Sequence, residues 1–155
     1  MTDHSAGILL YRRGQGGVEV LLVHPGGPYW RNKDAGAWQI PKGLIAAGES
    51  ALEAACREAR EELGFALAGT PSALATIRQA GGKIVEAFVL EQDVDSSAIS
   101  SNRFELEWPP RSGRIAVYPE IDGARWLSLE AAERMMLQSQ LPLLEALRGR
   151  LGRLP

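Results

Sequence analysis

Residues 6–12 (AGILLYR) and 18–24 (VEVLLVH) are short runs rich in aliphatic and β-branched side chains, with Gly14, Gly16 and Gly17 between them. Runs of this length bounded by glycines predict two strands joined as a hairpin. From Pro25 to Gly36 the pattern collapses into Gly26-Gly27-Pro28 and a polar stretch holding Tyr29, Trp30, Arg31 and Lys33. Its breakers predict a loop. Ser50-Ala51-Leu52-Glu53 has the form of a capping box, helix formers run on to Leu63, and Gly64 stands where a left-handed terminator belongs. Strands are expected over 73–79 and 83–91 around a Gly81-Gly82 turn, and a short one over 124–127. Ser128 caps an expected helix to about Gln138, and Pro142 suits the first turn of a last helix ending near Gly149. Between Asp93 and Gly123 a polar segment containing Trp108-Pro109-Pro110 carries few regular signals and reads as a long loop, a lid or partner surface.

The helix after Ser50 has two faces. With Glu58 set at 0° and about 100° per residue, Glu62 falls near 40° and Glu61 near 300°, so three carboxylates share one arc. Leu52, Ala55, Cys56, Ala59 and Leu63 lie between about 60° and 160°, a stripe suited to packing on a sheet. Cys56 therefore reads as a buried, inert thiol. Like charges at these spacings repel. Hard divalent cations take carboxylate oxygens and keep room for water and phosphate, so the acidic edge suits Mg²⁺, with Mn²⁺ possible, at a phosphate-directed site.

Composition narrows the field. The 155 residues, 45% hydrophobic, are enough for one domain with its own core, expected to span 1–155. Seventeen basic against 19 acidic residues give a net charge of −2, which supplies no electrostatic reason to expect nucleic-acid or membrane binding. One cysteine and two histidines exclude an internal disulfide and a Cys/His zinc set. With no signal-peptide pattern and no long apolar run, a cytoplasmic protein is expected.

The stretch from Gly43 to Phe65 reads Gly43, five residues, Glu49, seven residues, then Arg57-Glu58-Ala59-Arg60-Glu61-Glu62-Leu63-Gly64-Phe65. This resembles the Nudix box, G-x5-E-x7-R-E-U-x-E-E-x-G-U with U hydrophobic, at every defined position. At ordinary residue frequencies the seven fixed positions coincide by chance on the order of 10⁻⁸ per window. Trp38-Gln39-Ile40-Pro41-Lys42-Gly43 resembles the short strand that enters the box, and Arg125-Trp126-Leu127 with the Ser128 helix resembles the closing strand and helix.

The resemblance implies an α/β/α sandwich with a mixed sheet and a loop-helix-loop motif. It also implies Mg²⁺-dependent hydrolysis of a pyrophosphate bond in a nucleoside diphosphate linked to another moiety. It places Glu58, Glu61 and Glu62 on the metal, with the Gly43 carbonyl as a further ligand; glycine there would allow close approach and unusual dihedrals. Glu49 and Arg57 are implied as an internal ion pair that ties the loop to the helix. A carboxylate outside the box is implied as ligand or base, with Glu120 the first candidate and Glu105 and Glu107 the alternatives. Glu61 or Glu120 would take the proton from water.

Lys42 and Arg31, with Lys33, are candidates for phosphate, and Tyr29, Trp30 and Trp38 for stacking on a base. The downstream marker positions of the ADP-ribose and dinucleoside polyphosphate subgroups hold Ala80, Gly81, Gly82 and Lys83, so the substrate stays open. The alternatives are a dinucleoside polyphosphate hydrolase, a nucleoside triphosphate pyrophosphohydrolase, or a Nudix-fold nucleotide sensor without turnover. Trp108-Pro109-Pro110 is a candidate contact for a homodimer.

Overall fold

Side chains alternate across the first two strands, and the two sets they make define the layers of the molecule. A computed structural model describes residues 4–99 and 101–152. In chain order it contains β1 (His4–Gly14), β2 (Gly17–Pro25), β3 (Lys42–Leu44), α1 (Ala51–Leu63), β4 (Ser72–Arg78) and β5 (Ile84–Glu91). There follow β6 (Arg103–Glu107), β7 (Ile115–Pro119), β8 (Ile121–Ser128), α2 (Leu129–Met135) and α3 (Leu141–Leu151). Ala6, Ile8 and Leu10 of β1 and Leu21 and Val23 of β2 pack against Ala54, Ala55, Ala59 and Leu63 of α1. Leu9, Tyr11, Val20 and Leu22 point the other way, onto Ala132, Met136, Leu143, Leu144 and Leu147 of the C-terminal segment. The result is an α/β/α sandwich, as period-two alternation with both faces covered requires. No helix among the described residues is long and apolar enough to cross a membrane.

The sheet is mixed, with strand order β4-β5-β1-β2-β8 and β3 paired to β1. One edge of β1 runs parallel to β5 along its length, from His4↔Ile84 to Tyr11↔Glu91. The other edge is shared: β2 pairs with Tyr11 to Gly14, and β3 pairs with Ser5 to Gly7. Strands β1 and β2 diverge, and residues 39–44 fill the gap. Gln39 exchanges two backbone hydrogen bonds with Val23 at 2.8 and 2.9 Å, and the Ile8 N–H donates to the Pro41 carbonyl at 3.2 Å. Gly7 makes this insertion feasible, because a Cβ there would stand 2.7 Å from Cβ of Lys42. The wedge delivers Lys42 and Gly43 to the face that carries α1.

Helix α1 starts and stops where its sequence demands. The Ser50 hydroxyl accepts from the Glu53 N–H at 3.1 Å, and the Glu53 carboxylate accepts from the Ser50 N–H at 3.0 Å. Gly64 closes the helix in the left-handed region at φ 75°, its N–H donating to the Arg60 carbonyl. Burial of Leu63 alone is worth about 2 kcal/mol over exposure. Cys56 is half-buried rather than buried, and burial raises its thiol pKa.

Three expectations need correction. The segment 93–123 is not an irregular loop: β6 and β7 form an antiparallel hairpin in register from Arg103↔Pro119 to Glu107↔Ile115, with Trp108-Pro109-Pro110 in its turn. The closing strand is twice the expected length because β8 stays paired with β2 from Glu19↔Ser128 to Pro25↔Ile121. The helix capped by Ser128 ends at Met135, since Trp38 bridges Met136 there, its N–H donating to the Met135 carbonyl at 3.0 Å and its carbonyl accepting from the Leu137 N–H at 2.8 Å.

Candidate active site

Strand β3, the acidic face of α1 and the connection between β7 and β8 meet at an open cleft of about 460 Å³. Lys42, Gly43, Glu58, Glu62 and Glu120 line it, with Gly26, Leu44 and Phe104. Glu120 is fixed through its backbone, its N–H donating to the Asn102 carbonyl and its own carbonyl accepting from the Gly26 N–H, both at 2.9 Å. The Asn102 N–H in turn donates to the Glu61 carbonyl at 3.3 Å, so the hairpin base is tied to α1.

Arg57 organises the loop that precedes the helix. Its Nε and Nη2 donate to the two oxygens of Glu49 at 2.8 and 3.0 Å, and Nη2 also reaches the Leu44 carbonyl at 3.0 Å. Nη1 donates to Glu58 at 2.8 Å and to Glu61 at 3.2 Å. Glu49 also accepts from the Ala46 N–H at 3.0 Å. Those bonds, from Arg57 first, hold the Glu49 carboxyl down at about 2, and Glu49 and Glu58 raise the Arg57 guanidinium in return. The contacts of Arg57 with Glu58 and Glu61 go beyond the expected pair with Glu49, and the i,i+4 spacing of Arg57 and Glu61 is the sequence signal for the second of them.

Gly43 sits in extended strand, without the unusual dihedrals expected of it, and close approach is the reason for glycine. A Cβ at 43 would collide with the Glu58 carboxylate. The carboxylates in turn act on one another. Burial first, then the charges of Glu58 and Glu120, push the Glu62 carboxyl up to about 8, against the opposing pull of Lys42. Burial, then Glu58 and Glu61, also raises Glu120. Lys42 is lowered, because the cost of burying its ammonium outweighs the attraction of Glu62. Four carboxylates with one half-buried lysine among them make a site short of positive charge.

The aromatic candidates stand elsewhere. Trp38 is 7% exposed and part of the core, its Nε1–H donating to Asp34 at 2.9 Å and its ring meeting His24 edge-on. With Arg31 and Lys33 it borders a separate hollow of about 510 Å³ beside His24 and Asp122. Tyr29 and Trp30 are on the connecting loop, where Lys33 lies over the Tyr29 ring at 3.5 Å. Glu105 and Glu107 are exposed on the outer face of the hairpin. Phe104 was missed as a lining residue, although the alternation Arg103-Phe104-Glu105-Leu106-Glu107 is a strand signal.

The family model for the NUDIX domain matches residues 1–147. The chain belongs to the Nudix family. Solved structures with the same fold as this Nudix protein include a C. elegans Ap4A hydrolase in a binary complex, with TM-score 0.67, 22% identity, and coverage of 97% of this chain and 99% of that one. The NUDIX domain of Shewanella oneidensis NrtR complexed with ADP ribose matches with TM-score 0.68 and 21% identity over 97% of this chain and 89% of that one. The C-terminal domain of mouse MUTYH in complex with human PCNA gives TM-score 0.64 and 19% identity, covering 99% and 92%. No curated protein matches the chain.

All available ligands of the Nudix cleft are oxygens, and like-charged carboxylates around one cleft are chemically suited to a hard ion. Among the described residues, no three acidic, histidine or cysteine side chains already stand close enough to hold an ion. Glu58 and Glu61 are instead turned toward Arg57. The set fits such an ion in chemistry, with the Arg57 contacts as the competing arrangement.

Proposed function

We propose that this Nudix protein hydrolyses a pyrophosphate bond in a nucleoside diphosphate derivative, with the help of Mg²⁺ or Mn²⁺. The observation that carries the reading is the crowding of Glu58, Glu62 and Glu120 around a cleft in which Lys42 is the cation among the lining residues, with the charge of Glu61 acting on Glu120 from beside it. The family membership supports it, as do the nucleotide compounds in the names of two similar structures, Ap4A for one and ADP ribose for the other.

Glu58, Glu61 and Glu62, with the Gly43 carbonyl, are the residues that would hold the ion. When bound, a divalent cation neutralises charge on pyrophosphate oxygens and acidifies water. Lys42 adds a positive charge beside the phosphates and, being partly desolvated, acts there more strongly than in water. Glu120 is the proposed base. Its carboxylate lines the cleft and makes no hydrogen bond among the described residues, which leaves it free to take a proton from the attacking water. Glu61 is a weaker candidate because Arg57 shares its charge. Arg57 and Glu49 hold the loop against the helix so that Gly43 and Glu58 keep their approach.

The test is product analysis by mass spectrometry after incubating wild type and Glu62→Gln with Mg²⁺ and nucleoside triphosphates, dinucleoside polyphosphates, nucleotide sugars and dinucleotide cofactors. Turnover of one class that is lost in the variant supports the reading. Equal turnover by both proteins at limiting Mg²⁺ refutes the metal placement, and no turnover across the panel refutes the hydrolase.

A further inference from the structure

The acidic cleft has an aromatic wall, and the hairpin supplies it. Phe104, on β6, lines the cleft with Lys42 and Glu120, whereas Tyr29, Trp30 and Trp38 do not. Three local features place the ring. Alternation along β6 puts Phe104 and Leu106 on the half-buried face, opposite exposed Arg103, Glu105 and Glu107. Tyr118, directly across the ladder from Phe104, supports it with ring centroids 6.1 Å apart and planes tilted by 42°. Gly27, at φ 97°, leaves room below: a Cβ there would come within 3.1 Å of the ring.

The remaining apolar side chain in the cleft is Leu44, which is 59% exposed. Two apolar groups at the margin of a highly charged floor match a ligand that is ionic in one part and flat and apolar in another. We propose that Phe104 is a specificity-determining residue that stacks on the nucleobase of the substrate, an inference that rests on the hydrolase reading above. No amide or hydroxyl side chain lines the cleft among the described residues, so the base is recognised by its face and not by its edge. Adenine and guanine nucleotides are then bound alike, and both more tightly than pyrimidine nucleotides, which offer less stacking area.

Binding is measured by calorimetry in the Glu120→Gln background, which lacks the proposed base, with Mg²⁺, using ATP, CTP and inorganic tripolyphosphate as probes, for Phe104 and for Phe104→Leu and Phe104→Trp. Leucine keeps apolar bulk against Tyr118 but lacks a π-face. Phe104→Leu is expected to weaken ATP roughly ten-fold, to leave tripolyphosphate unchanged, and to be rescued by Phe104→Trp. Equal losses for ATP and tripolyphosphate, or unchanged ATP binding in Phe104→Leu, overturn the assignment. Failure of the hydrolase reading looks different: wild type turns over no member of the substrate panel while the ATP-specific loss persists.

Discussion

Arg57 grips both oxygens of Glu49 in a forked pair, at 2.8 and 3.0 Å, with its third nitrogen left for Glu58 and Glu61. A planar guanidinium can serve three carboxylates in this way, and an ammonium cannot reproduce the fork. Arg57→Lys is therefore expected to lower turnover or apparent Mg²⁺ affinity about 10- to 100-fold, the range for residues that orient metal ligands. Circular dichroism should be unchanged. The same pair predicts an acid response. Glu49 is held from its ordinary 4.5 to about 2, so its contribution to stability is full above pH 4.5 and disappears as pH falls through about 2. In acid unfolding, the stability advantage of wild type over Glu49→Gln should shrink across that window; a constant difference would contradict the pairing.

Gly43→Ala tests close approach without touching charge. The added methyl would enter the space of the Glu58 carboxylate, while the backbone of β3 can keep its pairing with Ser5 to Gly7. Overpacking of this kind costs about 1–3 kcal/mol. Thermal unfolding should show a lowered Tm, and Mg²⁺ titration of activity should show a right shift as Glu58 is displaced. Wild-type Mg²⁺ dependence in a folded Gly43→Ala protein would show that Glu58 and the residue 43 backbone do not act on one ion.

Glu62 predicts the opposite slope with pH. Its carboxyl is raised from 4.5 to about 8, mainly by burial and by Glu58 and Glu120, so the native state holds a proton that the unfolded chain has lost. In EDTA, stability should fall as pH rises from about 4.5 through about 8. Glu62→Gln mimics the protonated form and should flatten that fall. It should therefore be the more stable protein at pH 8.5 in denaturant titrations, and the less active one with Mg²⁺. A parallel decline in both proteins would mean that Glu62 is not the group that titrates.

Legibility of the molecule in its sequence followed the range of the interactions. The hairpin of β1 and β2, the caps of α1 at Ser50 and Gly64, and the grouping of Glu58, Glu61 and Glu62 on one edge are local, and spacing alone exposes them. The wedge of residues 39–44 between two diverging strands is not local. It depends on Gly7 and Val23, which carry no mark of the role in their own surroundings. The hairpin of β6 and β7 was obscured because only one of its faces packs, leaving Ile115 and Val117 exposed among charged neighbours. Trp38 illustrates the reverse difficulty: an aromatic beside the motif looks like a ligand platform, but its position between His24 and Asp34 makes it core.

Gln140 joins the C-terminal segment to the strand that enters the site. The side chain is fully buried, and its Oε1 accepts the Ile40 N–H at 3.0 Å, three residues before Gly43. Pro41 follows directly, so the wedge has few backbone donors with which to hold its course. Gln140→Met fills nearly the same volume with a side chain that accepts hydrogen bonds only weakly, leaving the buried Ile40 N–H short of a partner at a cost of about 1–3 kcal/mol, offset in part by loss of the buried Nε2, which has no partner among the described residues. Gln140→Glu retains the oxygen but asks for a charge to be buried, and should be worse at neutral pH than at pH 5, where protonation relieves it. Denaturant midpoints at the two pH values measure both effects. If the methionine variant were as stable as wild type, the Ile40 bond would not be what fixes the wedge, and the approach of Gly43 to Glu58 would have to be secured by the Gln39–Val23 and Ile8–Pro41 bonds and by the pairing of β3 with β1.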